Sequence, residues 1–211
     1  MIRRDLSQDE ARALASGRHE TPADVLGMGL LNGHLVVRTW QPHVRKVELL
    51  DLQHGRVLPM VAGPVPGLFE WRSDEGRPFR YRFRVTASDG SSCDIEDPYR
   101  FSPWLTDFDL HVFHEGTQYR AYQKMGAHPR VVEGVPGVHF AVWAPNAAGV
   151  SVVGSFNRWD ARLHPMHRRG LGGVWELFIP GAAPGDLYKF EVRSRLGPVE
   201  QKADPYAFFA E

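Results

Sequence analysis

The residue patterns that could carry acid–base, nucleophilic or metal chemistry are few in this sequence, and the candidate carboxylates lie far apart. Asp97 and Asp204 each precede a proline, and Asp-Pro is typical of a turn rather than of a catalytic carboxylate. The run HVFHE at 111–115 matches neither of the zinc-binding motifs H-E-x-x-H and H-x-x-E-H. Cys93 has no histidine close to it in sequence that would activate a thiol. We therefore predict no catalytic residue, no metal site and no cofactor.

Length, charge and cysteine content limit the classes of binding partner and the cellular compartment that fit this chain. The chain has 211 residues, and its 25 Lys and Arg balance 25 Asp and Glu, so net charge favours neither nucleic acid nor an anionic membrane. No apolar run approaches the roughly 20 residues needed to span a bilayer. The N-terminal residues lack the apolar stretch of a signal peptide, and a single cysteine cannot form an internal disulfide. These features predict a cytoplasmic protein with no nucleic-acid partner and no membrane partner.

A repeated string divides the chain into two copies of one domain. DPYRF at 97–101 recurs as DPYAF at 204–208, an offset of 204 − 97 = 107. Four further pairs occur in the same order with similar offsets: VVRTWQP with HFAVWAP, LPM with HPM, GLFEW with GVWEL, and RYRFRV with LYKFEV. The period is far longer than the ~20–50 residues of solenoid repeats, which indicates a tandem duplication of a whole domain.

Each copy has the sequence pattern of a β-sandwich. In FRYRFRV at 79–85, apolar side chains alternate strictly with Arg80, Arg82 and Arg84, which is the period of a strand with one buried face. Similar short runs, bounded by glycine, proline or aspartate, recur along both copies. We predict an all-β fold: two tandem immunoglobulin-like β-sandwiches joined by a short helical linker, with a short N-terminal helix.

Capping residues place the two predicted helices. Ser7 and Glu10 have the spacing of a capping box, and Gly17 is a stop signal, so a helix is predicted near the N-terminus. A linker helix is predicted from Thr117 to about Met125, where the next residue is a glycine that would end it.

The second copy contains a longer and more specific string. It reads FAVWAPNAAGVSVVGSFNRWD at 140–160, is preceded by HEGTQYRAYQKMGAHP at 114–129, and is followed in order by GVWELFIPG, YKFEV and KADPYAF. This order resembles the amino-terminal region of bacterial glycogen (1,4-α-glucan) branching enzymes over essentially the whole chain. The resemblance implies that residues 1–105 are an N1 β-sandwich domain, 106–129 a linker, and 130–211 a family 48 carbohydrate-binding module.

The resemblance also implies a parent reaction and two partners. In that family DPYAF closes the module and the chain then enters a catalytic (β/α)₈ barrel, which needs at least ~200 residues of its own. This sequence ends at Glu211, and the barrel's nucleophile and acid/base carboxylates have no counterpart in it. The implied function is an accessory one: positioning α-glucan (glycogen or a maltooligosaccharide) for α-1,4 cleavage and α-1,6 transfer by the barrel. The implied partners are α-glucan and the parent enzyme's own catalytic barrel.

The string SFNRWD holds the candidate glucan-binding residues. Sugar binding needs a flat apolar surface and a few polar groups, and a turn at Asn157 with Phe156 packed inward would leave Trp159 outward. In the resembled module this tryptophan stacks on the glucan, and the lysine of YKF, here Lys189, hydrogen-bonds a hydroxyl. The candidate glucan-binding residues are therefore Trp159, Lys189 and Asn157. Sugar-binding relatives usually carry a second aromatic beyond YKF, and RSRLGPVEQ at 193–201 has none.

Two other functions fit the same residues. Both sandwiches could serve only to pack against the barrel, with Trp159 at that interface, or the chain could be a free-standing regulatory protein with a glucan-binding module. Trp143 and Trp175 lie in alternating strands and are predicted to be core residues. Phe208 and Phe209 are predicted to be exposed where a barrel would otherwise cover them, which predicts self-association.

Overall fold

Strands dominate the structure of the chain. The structure is a computed structural model, and it describes residues 5–74, 76–195 and 197–209. Every strand pair in the described part of the chain is antiparallel, and the strands form four sheets that make two β-sandwiches. The predicted all-β fold of two tandem sandwiches is confirmed.

The chain folds into two compact units. Unit 1 contains the chain through Ser16 and the segment Pro22–Arg100. Unit 2 contains the short segment Gly17–Thr21 and the chain from Phe101 onward. Each unit therefore has its own core, and a five-residue piece of the N-terminal region belongs to the second one.

Unit 1 is a sandwich of two four-stranded sheets. Its strands are β1 (Gly27–Leu31), β2 (His34–Trp40), β3 (Val44–Asp51), β4 (Arg56–Pro59), β5 (Val61–Ala62), β6 (Leu68–Ser73), β7 (Tyr81–Ala87) and β8 (Ser92–Ile95). One sheet has the order β1-β2-β6-β5 and the other the order β4-β3-β7-β8. Val37, Leu49 and Phe83 are fully buried in the core of this unit.

The arginine stripe of β7 faces away from the core of unit 1. Tyr81, Phe83 and Val85 are buried, as the alternation predicts. On the opposite face Arg82 pairs with Glu96, and Arg84 pairs with Asp94 of β8 at 2.7 Å. Because carboxylates on the neighbouring segment neutralise these arginines, the stripe is a cross-strand ion-pair face.

Unit 2 repeats this architecture with one sheet shortened. Its strands are β9 (Gly126–Val132), β10 (Val135–Trp143), β11 (Ala147–Gly154), β12 (His167–Arg169), β13 (Val174–Pro180), β14 (Tyr188–Ser194) and β15 (Val199–Lys202). The sheets have the orders β12-β13-β10-β9 and β11-β14-β15. In unit 1 a hairpin joins β3 to β4, whereas in unit 2 the chain leaves β11 through a longer loop. That loop carries the candidate site.

The N-terminal helix α1 (Gln8–Ala15) begins as predicted. The Glu10 backbone N–H donates to the Ser7 hydroxyl at 3.2 Å, and the Glu10 carboxylate accepts from the Ser7 backbone N–H at 3.0 Å. These two reciprocal bonds satisfy donors that the first helical turn leaves unpaired. The predicted capping box is confirmed.

The linker helix lies ten residues earlier than predicted. Helix α2 (Asp107–His114) is capped by Thr106 and Asp109, and the stretch predicted to be helical holds only a 3₁₀ turn at Ala121–Gln123. The position predicted for the helix was wrong because this second capping box was missed. Its N-cap, Thr106, lies 106 − 7 = 99 residues after Ser7, which is close to the repeat offset of 107. Both helices have eight residues. No helix in the described part of the chain is long and apolar enough to cross a membrane.

The segment between the repeats packs on unit 2. Phe101 contacts Phe178 of β13, with ring centroids 4.7 Å apart, and Leu105 is buried with residues of α2, β10 and β13. The boundary predicted between residues 129 and 130 falls inside β9. Unit 2 as a compact body therefore includes what the sequence pattern indicated to be a linker.

The Asp-Pro-Tyr strings perform the same task in both units. The Tyr81 hydroxyl, at the start of β7, donates to the Asp97 carboxylate, and the Tyr188 hydroxyl, at the start of β14, donates to the Asp204 carboxylate. Each aspartate also accepts the backbone N–H of the residue two positions later, at 2.9 and 2.8 Å. The predicted turn-forming role of both aspartates is confirmed, with a tyrosine partner that the sequence pattern did not reveal.

We expect Tyr81→Phe and Tyr188→Phe each to lower the free energy of unfolding by about 1–3 kcal/mol, because each leaves a buried carboxylate without its hydroxyl donor. Urea unfolding followed by tryptophan fluorescence measures this. Tyr119→Phe is the matched control, since Tyr119 is 90% exposed. Equal stability of all three variants would mean that these bonds do not hold the sheet ends.

Candidate functional site

The candidate site is the loop that leaves β11 in unit 2. Its tryptophan, Trp159, is 41% exposed. Arg158 and Trp159 both have left-handed backbone conformations, with φ of 57° and 60°. The Trp159 backbone N–H donates to the Gly154 carbonyl oxygen at 3.0 Å, which closes the loop on itself. The predicted outward direction of Trp159 is what this turn produces.

Asn157 lies beneath this turn with its side chain buried. Its carboxamide oxygen accepts the Gly154 backbone N–H at 2.9 Å. Its amide nitrogen donates to the Val152 carbonyl oxygen at 2.8 Å and contacts His164 Nδ1 at 2.9 Å. Both amide hydrogens and one lone pair of the carboxamide oxygen are thus used inside the protein. Asn157 is placed to hold the loop and is not on the surface where a sugar would lie, so a direct contact with glucan does not fit its position.

The loop is also fixed to the start of β14. The Ser155 backbone N–H donates to the Leu187 carbonyl oxygen at 2.9 Å, and the Ser155 hydroxyl donates to Asp186 at 2.8 Å. Phe156 points inward, where its ring lies 6.0 Å from that of Phe140. A Cβ atom at Gly154 would lie 2.4 Å from the Leu187 carbonyl oxygen, so only glycine allows this close approach of the two segments.

Lys189 lies at the same end of the β11–β14 pair. It pairs with Val153, one position before the Gly154–Tyr188 pair to which the Trp159 turn is anchored. Its side chain is exposed, while that of Phe190 is buried. Among the described residues the Lys189 ammonium has no hydrogen-bond or ion-pair partner. The structure therefore brings Trp159 and Lys189 to one end of one sheet and leaves both available.

Two family models match the chain, one for each unit. Residues 7–99 match the N-terminal domain of the alpha-1,4-glucan branching enzyme GlgB, and residues 124–207 match carbohydrate-binding module 48, the isoamylase N-terminal domain. The chain corresponds to the N-terminal region of a 1,4-alpha-glucan branching enzyme. The predicted resemblance is thereby confirmed for both copies.

Curated relatives agree with this assignment and extend well beyond the chain. The 1,4-alpha-glucan branching enzyme GlgB of Paramagnetospirillum magneticum is 47% identical over 98% of this chain, which spans 27% of that protein. The enzymes of Rubrobacter xylanophilus and Bradyrhizobium sp. (strain ORS 278) are 47% and 48% identical, and the chain spans 28% of each. The chain therefore covers little more than a quarter of the length of these relatives.

Solved structures resemble the chain only partly. The pullulanase type I of Bacillus subtilis str. 168, complexed with maltose, is 20% identical, covers 81% of this chain and 23% of its own, and has a TM-score of 0.32. The pullulanase of Anoxybacillus sp. LM18-11 is 16% identical, covers 86% of this chain and 25% of its own, and has a TM-score of 0.33.

The other tryptophans of the family 48 module differ in exposure. Trp175 is fully buried, as predicted. Trp143 was predicted to be a core residue, and that prediction was wrong, because it lies at the end of β10 and is 54% exposed. Its indole N–H donates to the Gly172 carbonyl oxygen at 2.9 Å, and its ring meets the edge of Phe113 from α2. The alternation identified a strand correctly but did not reveal that its last residue leaves the core.

The module contains a buried charge cluster that the sequence pattern did not predict. The Glu176 carboxylate accepts the backbone N–H groups of Trp104 and Leu105 at 3.0 and 3.2 Å, lies 2.6 Å from His139 Nε2, and pairs with Arg169. Burial acts to raise the pKa of Glu176, but the hydrogen bond from His139 and the nearby positive charges hold that pKa below its usual range. Because the cluster ties the incoming chain to β13 and is closed to solvent, it is structural. Glu176 lies in the strand run GVWELFIP, in which Val174 to Ile179 are all buried, and a single carboxylate within that apolar run was the available signal.

Gly154→Ala is expected to lower the free energy of unfolding of the module by about 1–3 kcal/mol, since the added methyl group would overlap the Leu187 carbonyl oxygen. We also expect the Trp159 amide resonance to move, because the Gly154 carbonyl is its acceptor. Thermal unfolding and an amide NMR spectrum measure the two effects. A variant as stable as the parent, with an unmoved Trp159 amide, would show that the close approach does not shape the loop.

Proposed function

We propose that the family 48 module binds α-glucan through a glucan face formed by Trp159, Lys189 and Leu187. The observation that carries this proposal is the half-exposed indole of Trp159, held outward by a hydrogen-bonded left-handed turn. An aromatic ring that is already oriented loses little conformational freedom when a sugar packs on it.

The chemistry of the three side chains suits a pyranose ring. The indole of Trp159 offers a flat apolar surface to the C–H face of a sugar. The ammonium of Lys189 has three donors for hydroxyl oxygens, and no carboxylate among the described residues competes for them. Leu187, 53% exposed and directly before β14, adds an apolar contact that the sequence analysis did not identify. Its position next to YKF was the available signal.

Asn157 supports the glucan face from below. Its buried amide holds Gly154, and the Gly154 carbonyl holds the Trp159 amide. We therefore assign Asn157 an indirect part in glucan binding. Because the face has one aromatic ring and no aromatic among the described residues between Arg193 and Gln201, we expect a dissociation constant on the order of millimolar for a short glucan.

In the longer branching enzyme this face would have a positional role. The relatives that match the chain are named 1,4-alpha-glucan branching enzymes and are several times its length. We propose that the module, together with the N-terminal domain, holds α-glucan chains for α-1,4 cleavage and α-1,6 transfer by a catalytic barrel outside this chain. Weak binding suits that role, since a held chain must also be released.

A structural role against the barrel is the second candidate. Trp159 could pack on a neighbouring domain, and Phe208 and Phe209 are 77% and 80% exposed near the C-terminal end. Exposed apolar side chains of this size often mark a surface that another domain or a second copy covers. On this alternative the chain would self-associate through these residues and would not bind glucan.

Trp159→Ala is expected to abolish retardation of the chain in native gels that contain glycogen, because the stacking surface is removed. Trp143→Ala is the matched control: it also removes a half-exposed tryptophan and should leave the retardation unchanged. Lys189→Met should weaken binding roughly fivefold through loss of a charged donor, while Lys202→Met, on the neighbouring strand, should have no effect.

Two results would contradict the proposal. Absence of retardation for the parent chain at high glycogen concentration would favour the structural role, and light scattering would then be expected to find oligomers. Equal losses in the Trp143 and Trp159 variants would place glucan elsewhere on the module.

A further inference from the structure

His164 lies directly behind the loop that carries Trp159. Its segment runs beside β11: the Val152 backbone N–H donates to the His164 carbonyl oxygen at 3.1 Å, and Pro165 bridges to Ser151. The His164 ring packs against that of Phe156, with centroids 5.7 Å apart. The ring thus fills the space between the strand and the loop.

The hydrogen bonds of Asn157 determine the protonation state of this ring. The Asn157 carboxamide oxygen accepts from Gly154, so the other terminal atom is the amide nitrogen, which can only donate. One of its hydrogens goes to the Val152 carbonyl oxygen and the other to His164 Nδ1. His164 Nδ1 must therefore accept, which requires a neutral ring with its proton on Nε2.

A continuous chain of hydrogen bonds links this ring to Trp159. His164 fixes Asn157, Asn157 fixes the Gly154 N–H, and the Gly154 carbonyl accepts the Trp159 N–H. Left-handed backbone conformations at two successive non-glycine residues persist only where the surroundings hold them. Ser155 fixes the start of the loop to β14, whereas Asn157 and His164 restrain the turn from Gly154 to Trp159, so the state of His164 bears directly on that turn.

We propose that His164 is a positioning residue of the glucan face: its neutral ring locks Asn157, and protonation of Nδ1 releases the turn that presents Trp159. This proposal rests on the proposed function for its consequence in binding. The hydrogen bond between His164 and Asn157 is itself a property of the protein without bound sugar. A protonated Nδ1 would set an N–H against the amide hydrogens of Asn157, and two donors cannot satisfy each other.

Burial, rather than a neighbouring charge, sets the titration of His164. Burial lowers the pKa of His164 to about 4. Of the charged groups on the adjoining elements, Asp160 and Arg162 of the loop pair with each other at 2.8 Å, and those of β14 are Lys189, Glu191 and Arg193. None of them contributes to the shift.

The sign of the pH effect follows from this shift. The ring is neutral in the folded protein well below the pH of about 6.5 at which an unfolded histidine takes up a proton. Its contribution to stability is therefore complete above about pH 6.5 and is lost as the pH falls toward 4, by roughly a factor of ten in the folding constant per pH unit.

Two variants of the full chain test, at pH 7, whether His164 holds Asn157 in place. His164→Phe keeps a ring against Phe156 but removes the acceptor, and we expect faster hydrogen exchange of the Asn157 side-chain amide and the Trp159 backbone amide. Maltoheptaose affinity should fall on the order of tenfold, since only a fraction of molecules then present the indole correctly. His164→Asn places a carboxamide oxygen near the position of Nδ1 and should restore slow exchange and binding.

The pH profile separates positioning from mere stability. In the parent chain the Trp159 amide should lose protection with a midpoint near pH 4, and maltoheptaose affinity should fall about twofold there, while His164→Asn should show neither change in that range. Identical profiles for the parent and His164→Asn, or undisturbed amides in His164→Phe, would overturn the proposal. A parent chain that does not bind maltoheptaose would refute the proposed function alone, because the exchange measurements need no sugar.

Discussion

Two consecutive non-glycine residues in the left-handed region, Arg158 and Trp159, cost an isolated chain about 1–2 kcal/mol each, and the candidate binding face exists only because something holds them. The buried amide of Asn157 does so, by bonding to the backbone that leads into the turn, at Val152 and Gly154, and to the His164 ring beyond it. The same amide explains why a tryptophan faces solvent at this point of a sandwich. The candidate glucan face thus depends on a side chain that is buried beneath it.

The two units show how one scaffold can carry the candidate site in only one of its copies. Both begin with a capped eight-residue helix, and both fix the end of a sheet with a tyrosine–aspartate hydrogen bond. They differ after the third strand of each unit. In unit 1 the connection is a tight hairpin closed by Asp51, which accepts the Gln53 and His54 backbone N–H groups, and in unit 2 it is the longer loop with Trp159.

Features that depend on local sequence could be predicted, and those that depend on tertiary contacts could not. The strand alternation, the α1 capping box and the Asp-Pro turns each involve neighbouring residues, and the structure has them as predicted. The place of α2 was predictable in principle, from a repeat of the first capping box. The exposure of Trp143 and the burial of Asn157 depend on which segments pack over them. No alternation or turn propensity contains that information, so Asn157 was predicted as a turn former and a glucan contact, and its buried position beneath the turn was not predicted.

Glucan binding at Trp159 is tested most directly by an NMR titration of the indole N–H resonances of the six tryptophans with maltoheptaose, in the full chain at pH 7. We expect the Trp159 indole to shift progressively to saturation, while the half-exposed Trp143 and the buried Trp175 do not move. Movement of Trp143 with Trp159 unchanged would place the sugar on another surface of the module. No movement of any indole at concentrations well above a millimolar would contradict glucan binding by this chain.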